Sequence, residues 1–480
     1  MTVARRTKIV ATLGPASGTP AALDSLLASG VDVVRINLSH GPVEDHIARL
    51  YAVRSAAKRL GRPIGILADL PGPKVRAGQF PEGGTMLPEG SIVHLTPGKG
   101  ASSASEITVD YETLLSDLAA GDRVVLGDGA ITLRIQSVDE SSAVGKVESG
   151  GPTQGRPGVH IPAERLRLHT PTTRDLELAV IMAAEGVDFL AVSFVRAGAD
   201  LRRVREELKG GHMPRLIAKI ETANAVVALD EILAESDAVM VARGDLGIDC
   251  PLSEVPHLQK RIIRKCVQAG IPVITATQML ESMITSPAPT RAEVSDVANA
   301  VFDGTDAVML SGETAIGDDP SLVVRTMSEI CHRAETEASY RQWANRLGRS
   351  QREHVSDRGE RITNAVTHAG WQAAEDTDAA AIICCTRSGK TAMAMSRYRP
   401  PAQLIGASPD DHTIAILTLS WGVIPLKVEV HPNTDDMVWF AVQKSVKASL
   451  AEPGDVVVVL AGTPDQPHHA TDVMRIVEIT

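Results

Sequence analysis

The sequence predicts an α/β protein: a (β/α)8 barrel with an inserted all-β unit and a C-terminal α/β unit. Three observations carry the prediction. A short β-branched apolar run followed by an amphipathic stretch recurs through most of the first 345 residues. The rhythm breaks once, from Pro71 to His169, where Gly, Pro and short alternating strands take over. A fresh α/β alternation begins beyond a polar, Arg-rich stretch from Arg341 to Arg361. At 480 residues the chain is also too long for one ordinary core.

The eight runs of the first part are residues 8–13, 31–38, 64–70, 189–195, 216–220, 238–241, 272–275 and 307–310. Helix punctuation separates them. Thr19-Pro20 opens a stretch that stops at Gly30, with Pro in the first turn and Gly past the last. Thr290 with Glu293 is a capping-box pattern, and that stretch stops near Gly304. Eight strand–helix units in succession point to a closed barrel; an open doubly wound sheet is the alternative, and no Gly-rich dinucleotide turn follows the first run. The boundaries this predicts are 1–69 and 170–345 for the barrel, 70–169 for the inserted unit and 346–480 for the C-terminal unit. Within the inserted unit, residues 91–95, 123–126 and 130–135 read as strands. Because it follows the third barrel strand, it overhangs the loops where barrel active sites lie, as a lid. In the C-terminal unit the runs are 379–385, 403–407, 423–428 and 456–461.

Composition narrows the partners. Apolar residues make up 44% and aromatics only 3%, so small branched side chains must carry the core. The net charge of −11 argues against a nucleic-acid surface. No apolar run reaches the length of a membrane span, and the Arg5-Arg6 pair precedes a run too short for an export signal. Five scattered cysteines lack metal-site spacing and read as reduced thiols of a cytoplasmic protein.

Candidate chemistry lies at the C-terminal ends of the barrel strands. The second run ends in Arg35, Asn37 and Ser39, on one face, then His40; the third ends in Asp69, with Lys74 and Arg76 beyond. The fifth ends in Lys219 and Glu221; later ends carry Arg243-Gly244-Asp245, Thr275 to Gln278 and Ser311 to Thr314. Glu221 and Asp245, on adjacent strand ends, suit Mg²⁺ or Mn²⁺, and Lys219, Arg35 and Arg76 supply fixed positive charge. Such a site fits a substrate bearing both phosphate and carboxylate, and stabilises an enolate. A carbon–carbon lyase of the same chemistry, and a degenerate sensor, are the rival classes; the sensor predicts loss of Lys219, Glu221, Asp245 or Thr277, and all four are present.

These residues closely resemble the pyruvate kinase family along nearly the whole chain. Arg35 to Gly41 is similar to its R-x-N-x-S-H-G segment and Leu216 to Glu221 to its signature strand; MVARGDLG, TATQMLESMI, PTRAE, SDVANAV and MLSGETA follow. After Glu221, Asn224-Ala225 replaces a more usual acidic–Gly pair. The resemblance implies phosphoryl transfer between phosphoenolpyruvate and ADP, giving pyruvate and ATP at the end of glycolysis, with a divalent ion on Glu221 and Asp245. It implies that Lys219 stabilises phosphoryl group and enolate, that Arg35 contacts the phosphoryl group, and that Gly244, Asp245 and Thr277 hold the carboxylate. Asn37, Arg76 and His40 would face the nucleotide, Asp128 would lie in the lid's closing loop, and the assembly would be a homotetramer. Many members hold K⁺ near Asn37, Ser39 and Asp69 with a D-T-K-G-P-E segment; here Asp69-Leu70-Pro71-Gly72-Pro73-Lys74 stands instead. Lys74 in place of Glu resembles members that need no K⁺, a tethered ammonium replacing the ion.

Thr386-Arg387-Ser388-Gly389-Lys390-Thr391 follows a C-terminal run. Cys384 stands where a P-loop needs its first Gly, so that reading is rejected. In related enzymes this loop binds a phosphorylated effector, AMP or a sugar phosphate, and an altered partner loop at 462–471 leaves its identity open.

Overall fold

The computed structural model describes residues 5–127, 129, 131–161, 169–338, 344, 347, 357–462 and 470–480. The chain opens with β1 (Lys8–Thr12), β2 (Val33–Asn37) and β3 (Gly65–Asp69). The inserted strands follow: β4 (Thr85–Leu87), β5 (Ile92–Pro97), β6 (Glu106–Val109), β7 (Arg123–Leu126), β8 (Ile131–Val138), β9 (Ala143–Ser149), β10 (Gly151–Thr153) and β11 (Val159–His160). The first motif then resumes with β12 (Phe189–Val192), β13 (Arg215–Ile220), β14 (Ala238–Ala242), β15 (Val273–Ala276) and β16 (Ala307–Leu310). Strands β1–β3 and β12–β16 close into one parallel barrel, β1 pairing with both β2 and β16, which excludes the open doubly wound sheet.

The helical punctuation works as the local chemistry requires. Thr19 Oγ1 accepts from Ala22 N at 3.2 Å at the start of helix Pro20–Ala28. Thr290 and Glu293 exchange a capping box, Glu293 Oε2 accepting from Thr290 N at 2.7 Å. That helix, Arg291–Asp303, ends on Gly304 at φ 95°, a left-handed cap that suits glycine.

Inward-facing Val10, Val33, Leu67, Phe189, Ile217 and Met240 fill the barrel, and Ile416 and Leu419 of the C-terminal unit join this cluster. The approach is close: a Cβ on Gly65, at the start of β3, would lie 2.5 Å from Thr418 Oγ1. The C-terminal unit is thus seated on the end of the barrel opposite the candidate residues. Its sheet has the order β19 (Val423–Lys427), β18 (Gln403–Ser408), β17 (Ala381–Cys385), β20 (Val456–Ala461), β21 (Val473–Glu478). All pairings are parallel except β20–β21. The antiparallel β21 is an edge strand that the sequence reading did not assign.

The inserted unit has its own core, from Val75 to Ile161. Its six-stranded sheet runs β11-β7-β8-β9-β5-β6. Isolated bridges from Arg76 to Gly158 and from Ala77 to Val109 carry one edge round to the other. It is not purely β, since Leu114–Asp117 forms a helical turn. The five cysteines are buried and unpaired. Among the described residues no helix is long and apolar enough to cross a membrane.

Candidate active site

Charged side chains at the strand ends form a continuous chain across the barrel mouth. Arg35, on β2, donates from Nε to Asp69 Oδ2 at 2.7 Å and from Nη1 to Thr12 Oγ1 at 3.1 Å. Lys219 Nζ, on β13, lies 3.3 Å from Asp69 Oδ1 and 2.9 Å from Glu221 Oε1, and donates to Ser193 Oγ at 2.7 Å. Asp69 and Glu221 are each 1% exposed. Burial opposes the Lys219 charge, but the carboxylates of Asp69 and Glu221 outweigh it and raise its pKa. Burial likewise opposes ionisation of Asp69, yet Lys219 and Arg35 hold its pKa below the ordinary value.

Glu221 is the exception in this chain. Its Oε2 accepts from Phe194 N at 2.6 Å, and the buried Oε1 has the Lys219 ammonium beside it at 2.9 Å. Burial pushes its pKa up; Lys219 opposes this and the nearby Asp245 adds to it. A buried carboxylate repelled by a second carboxylate is a donor set that a hard divalent cation satisfies. Among the described residues no group of three or more His, Cys, Asp or Glu is placed to hold a metal ion.

The turn after β15 is conformationally unusual. Thr277 has φ 71° and Gln278 φ 53°, left-handed values that cost a non-glycine residue about 1–3 kcal/mol each. Thr277 Oγ1 accepts from Gly244 N at 2.8 Å and donates to Ala276 O at 2.6 Å. Glu313, from the end of the eighth strand, is no part of the open site: it is 2% exposed and accepts from Leu280 N and Ser311 N at 3.1 and 2.6 Å.

The inserted unit overhangs this mouth and lines with it an open cavity of about 440 Å³. Lys74, Arg76, Arg123 and His160 line it from one side, and Glu221, Asp245, Phe194 and Arg196 from the other, with His40 between. Arg35, Lys219, Gly244 and Thr277 are not in that lining. Lys219 and Arg35 are tied beneath it to Glu221 and Asp69. Partial burial and the neighbouring Lys74, Arg76 and Arg35 hold the His40 imidazole below its ordinary pKa. Lys74 Nζ donates to Ser39 Oγ at 2.8 Å, and Asn37 Oδ1 accepts from Ser39 N at 3.1 Å. Leu70 contributes its carbonyl, which accepts from Ser193 Oγ at 2.7 Å. Asp128 lies outside the described residues.

The loop from Thr386 to Thr391 belongs to the C-terminal unit, after β17. Gly389 takes φ 83°, Gly389 N donates to Thr386 Oγ1 at 3.0 Å, and the Ser388 carbonyl accepts from Arg215 at 3.0 Å. Arg387 O accepts from Thr413 Oγ1 at 2.6 Å. The Thr391 hydroxyl is buried against Thr471 Oγ1 at 2.7 Å. Lys390 is exposed at a second cavity of about 490 Å³, between this unit and the barrel, with Arg215 on its barrel side. His468 and His469 of the partner loop lie outside the described residues.

Sequence reasoning missed Ser193 and Thr12, which bind Lys219 and Arg35. Both are polar residues at strand ends, the fourth and the first, each a lone hydroxyl between apolar neighbours.

Comparison with known proteins agrees with the geometry. The family described as "Pyruvate kinase, barrel domain" matches residues 4–324, and "Pyruvate kinase, alpha/beta domain" matches residues 364–477. The chain is 40% identical over 477 residues to a pyruvate kinase of Geobacillus stearothermophilus, covering 98% of this chain and 80% of that one. It is 40% identical to one of Methylorubrum extorquens over 477 residues, 99% of this chain and 98% of the relative. A Clostridium acetobutylicum pyruvate kinase is 35% identical over 475 residues, 98% and 99% of the two chains. With both family regions matched and relatives aligned almost from end to end, the chain belongs to the pyruvate kinase family, a family of phosphotransferases.

Proposed function

We propose that this enzyme transfers the phosphoryl group of phosphoenolpyruvate to ADP, giving pyruvate and ATP, as the last step of glycolysis in the cytoplasm. The observation that carries the reading is the chain Arg35–Asp69–Lys219–Glu221, whose Glu221 end meets Asp245 at one cavity. A β-phosphate oxygen of ADP attacks phosphorus, the bond from phosphorus to the enol oxygen breaks, and the enolate takes a proton at its terminal carbon. Arg35 binds the phosphoryl group; Lys219, held positive by its carboxylate neighbours, stabilises the charge passing to the enolate oxygen. The amides of Gly244 and Asp245 and the Thr277 hydroxyl hold the substrate carboxylate. Because Gly244 N–H already donates to Thr277 Oγ1, carboxylate binding exchanges that internal bond for one to substrate. Glu221 and Asp245 hold Mg²⁺ or Mn²⁺, which supplies charge neutralisation when bound. His40, Asn37 and Arg76 face the nucleotide, and closure of the inserted unit excludes water.

The reaction needs no K⁺ in this reading, because the Lys74 ammonium reaches Ser39 in the region that would hold the ion. A phosphorylated effector, AMP or a sugar phosphate, binds at Thr386 to Thr391; the exposed Lys390 and the nearby Arg215 favour an anion there. The enzyme assembles as a homotetramer, to which the exposed Trp439 and Phe440 of the C-terminal unit lend support. The test is ATP formation from ADP and phosphoenolpyruvate with Mg²⁺ in tetramethylammonium buffer. Full turnover without K⁺ is the expected result. Turnover that appears only on adding K⁺ overturns the cation reading, and no ATP under either condition overturns the activity.

A further inference from the structure

We infer that Arg243 is a positioning residue for the transfer reaction, acting through Thr277; this rests on the reading that Thr277 contacts substrate. Arg243 follows β14, and its side chain is 11% exposed. Nε donates to Ala276 O at 3.2 Å and Nη2 to Thr277 O at 2.6 Å. These are the carbonyls on either side of Thr277, so one rigid fork fixes both peptide planes around it. On its other side the fork is anchored, Nη1 donating to Asp296 Oδ1 at 2.7 Å and to Gln259 Oε1 at 3.3 Å. The next residue, Gly244, donates from its backbone to the Thr277 hydroxyl at 2.8 Å, which completes a closed circuit.

The circuit explains how a β-branched residue keeps a left-handed backbone. Thr277 and Gln278 hold φ 71° and 53° in succession, a conformation that persists only where neighbours over-determine it. If the fork were lost, Thr277 would relax toward ordinary β geometry and its hydroxyl would leave the carboxylate site. A lysine cannot replace the fork, because one ammonium on a flexible stem does not fix two carbonyl planes and an aspartate at once.

The test compares Arg243→Lys, Thr277→Ala and the double variant in the full chain, with phosphoenolpyruvate, ADP and Mg²⁺. A second readout is exchange of the pyruvate methyl protons with D₂O, followed by NMR with Mg²⁺ and inorganic phosphate. Arg243→Lys is expected to lower kcat and the exchange rate by roughly 10–100-fold, the scale of a small misplacement of a reacting group. In the Thr277→Ala background the same change is expected to do almost nothing, since both residues act on one element. Multiplicative losses in the double variant, or an Arg243→Lys enzyme within about threefold of wild type in both rates, overturn the inference while leaving the role of Thr277 intact. Wild-type rates in Thr277→Ala overturn that underlying role instead. Should Arg243→Lys fail to fold, as read by its thermal midpoint, Asp296→Asn loosens the anchor and enters the same cycle with the same outcomes.

Discussion

At the scale of the residue, Lys219 does two things that pull against each other. Its ammonium compensates two nearly inaccessible carboxylates, Asp69 and Glu221, and in the proposed reaction it also neutralises the developing enolate. Lys219→Met therefore predicts two separable losses. Turnover falls by about 10³-fold, as when one preorganised electrostatic partner is removed. Stability falls by about 3–5 kcal/mol, because a buried charge is left unpaired. Thermal melts with and without Mg²⁺ check the second: the ion should recover part of the loss, since Glu221 and Asp245 then have a cation again. Lys74 gives the complementary prediction. Lys74→Glu removes the ammonium from Ser39 Oγ, and the variant is expected to be inactive in tetramethylammonium and revived by K⁺; rates along a K⁺ titration decide it.

At the scale of the element, Asp32 pins the start of the barrel. It precedes β2, accepts from Ile9 N of β1 at 2.9 Å and from Arg5 at 2.8 Å, and lies 4.0 Å from Lys8. Burial opposes its ionisation, but Arg5 and Lys8 hold its pKa below the ordinary value. The unfolded chain therefore binds the proton more readily than the folded one, and this part of the stability rises with pH. It is complete above the unfolded pKa of about 3.9 and is lost as pH falls from there through the folded value. Asp32→Asn should cost about 3–5 kcal/mol at pH 7, and urea midpoints should show the gap to wild type narrowing below roughly pH 4. Elements like β1 and β2 were legible because apolar runs ending in polar residues state both the strand and its functional end. Even so, residues 31–38 overran the observed Val33–Asn37, since periodicity does not mark where pairing stops. Strand β21 was not legible: its outward Met474 and Ile476 are 40% and 51% exposed, and an edge strand has little burial to pattern it. The chain of charges was legible because lone polar residues at one face have few other reasons to be there. The grip of Arg243 on Thr277 was not, because a left-handed threonine leaves no mark in the sequence and the fork spans 34 residues.

At the scale of the whole molecule, the inserted unit and the C-terminal unit attach to opposite ends of one barrel, so any signal from the proposed effector loop must cross the barrel's base. One buried polar link there is Arg399. It is 2% exposed, donates to Asp306 Oδ1 at 2.9 Å and to Gly304 O at 2.7 Å, and stacks its guanidinium 4.8 Å from the centre of the Trp421 ring. Asp306 in turn accepts from Val273 N at 2.9 Å, so the C-terminal unit holds, through one arginine, the backbone entering both β15 and β16. Those strands lead to Thr277 and Glu313, the turn that bears the proposed carboxylate contact and the residue that braces it. Arg399→Met removes one partner of a desolvated pair and should destabilise by about 3–5 kcal/mol. Arg399→Met with Asp306→Asn removes the stranded charge as well, so urea unfolding should recover a clear fraction of that loss. Simple addition of the two losses would mean that the pair is not acting as a unit. The same double variant separates fastening from signalling. If the link only fastens, turnover at saturating substrate stays near wild type once stability is restored; if it also carries the effector's influence, activation by AMP or a sugar phosphate disappears while basal turnover remains.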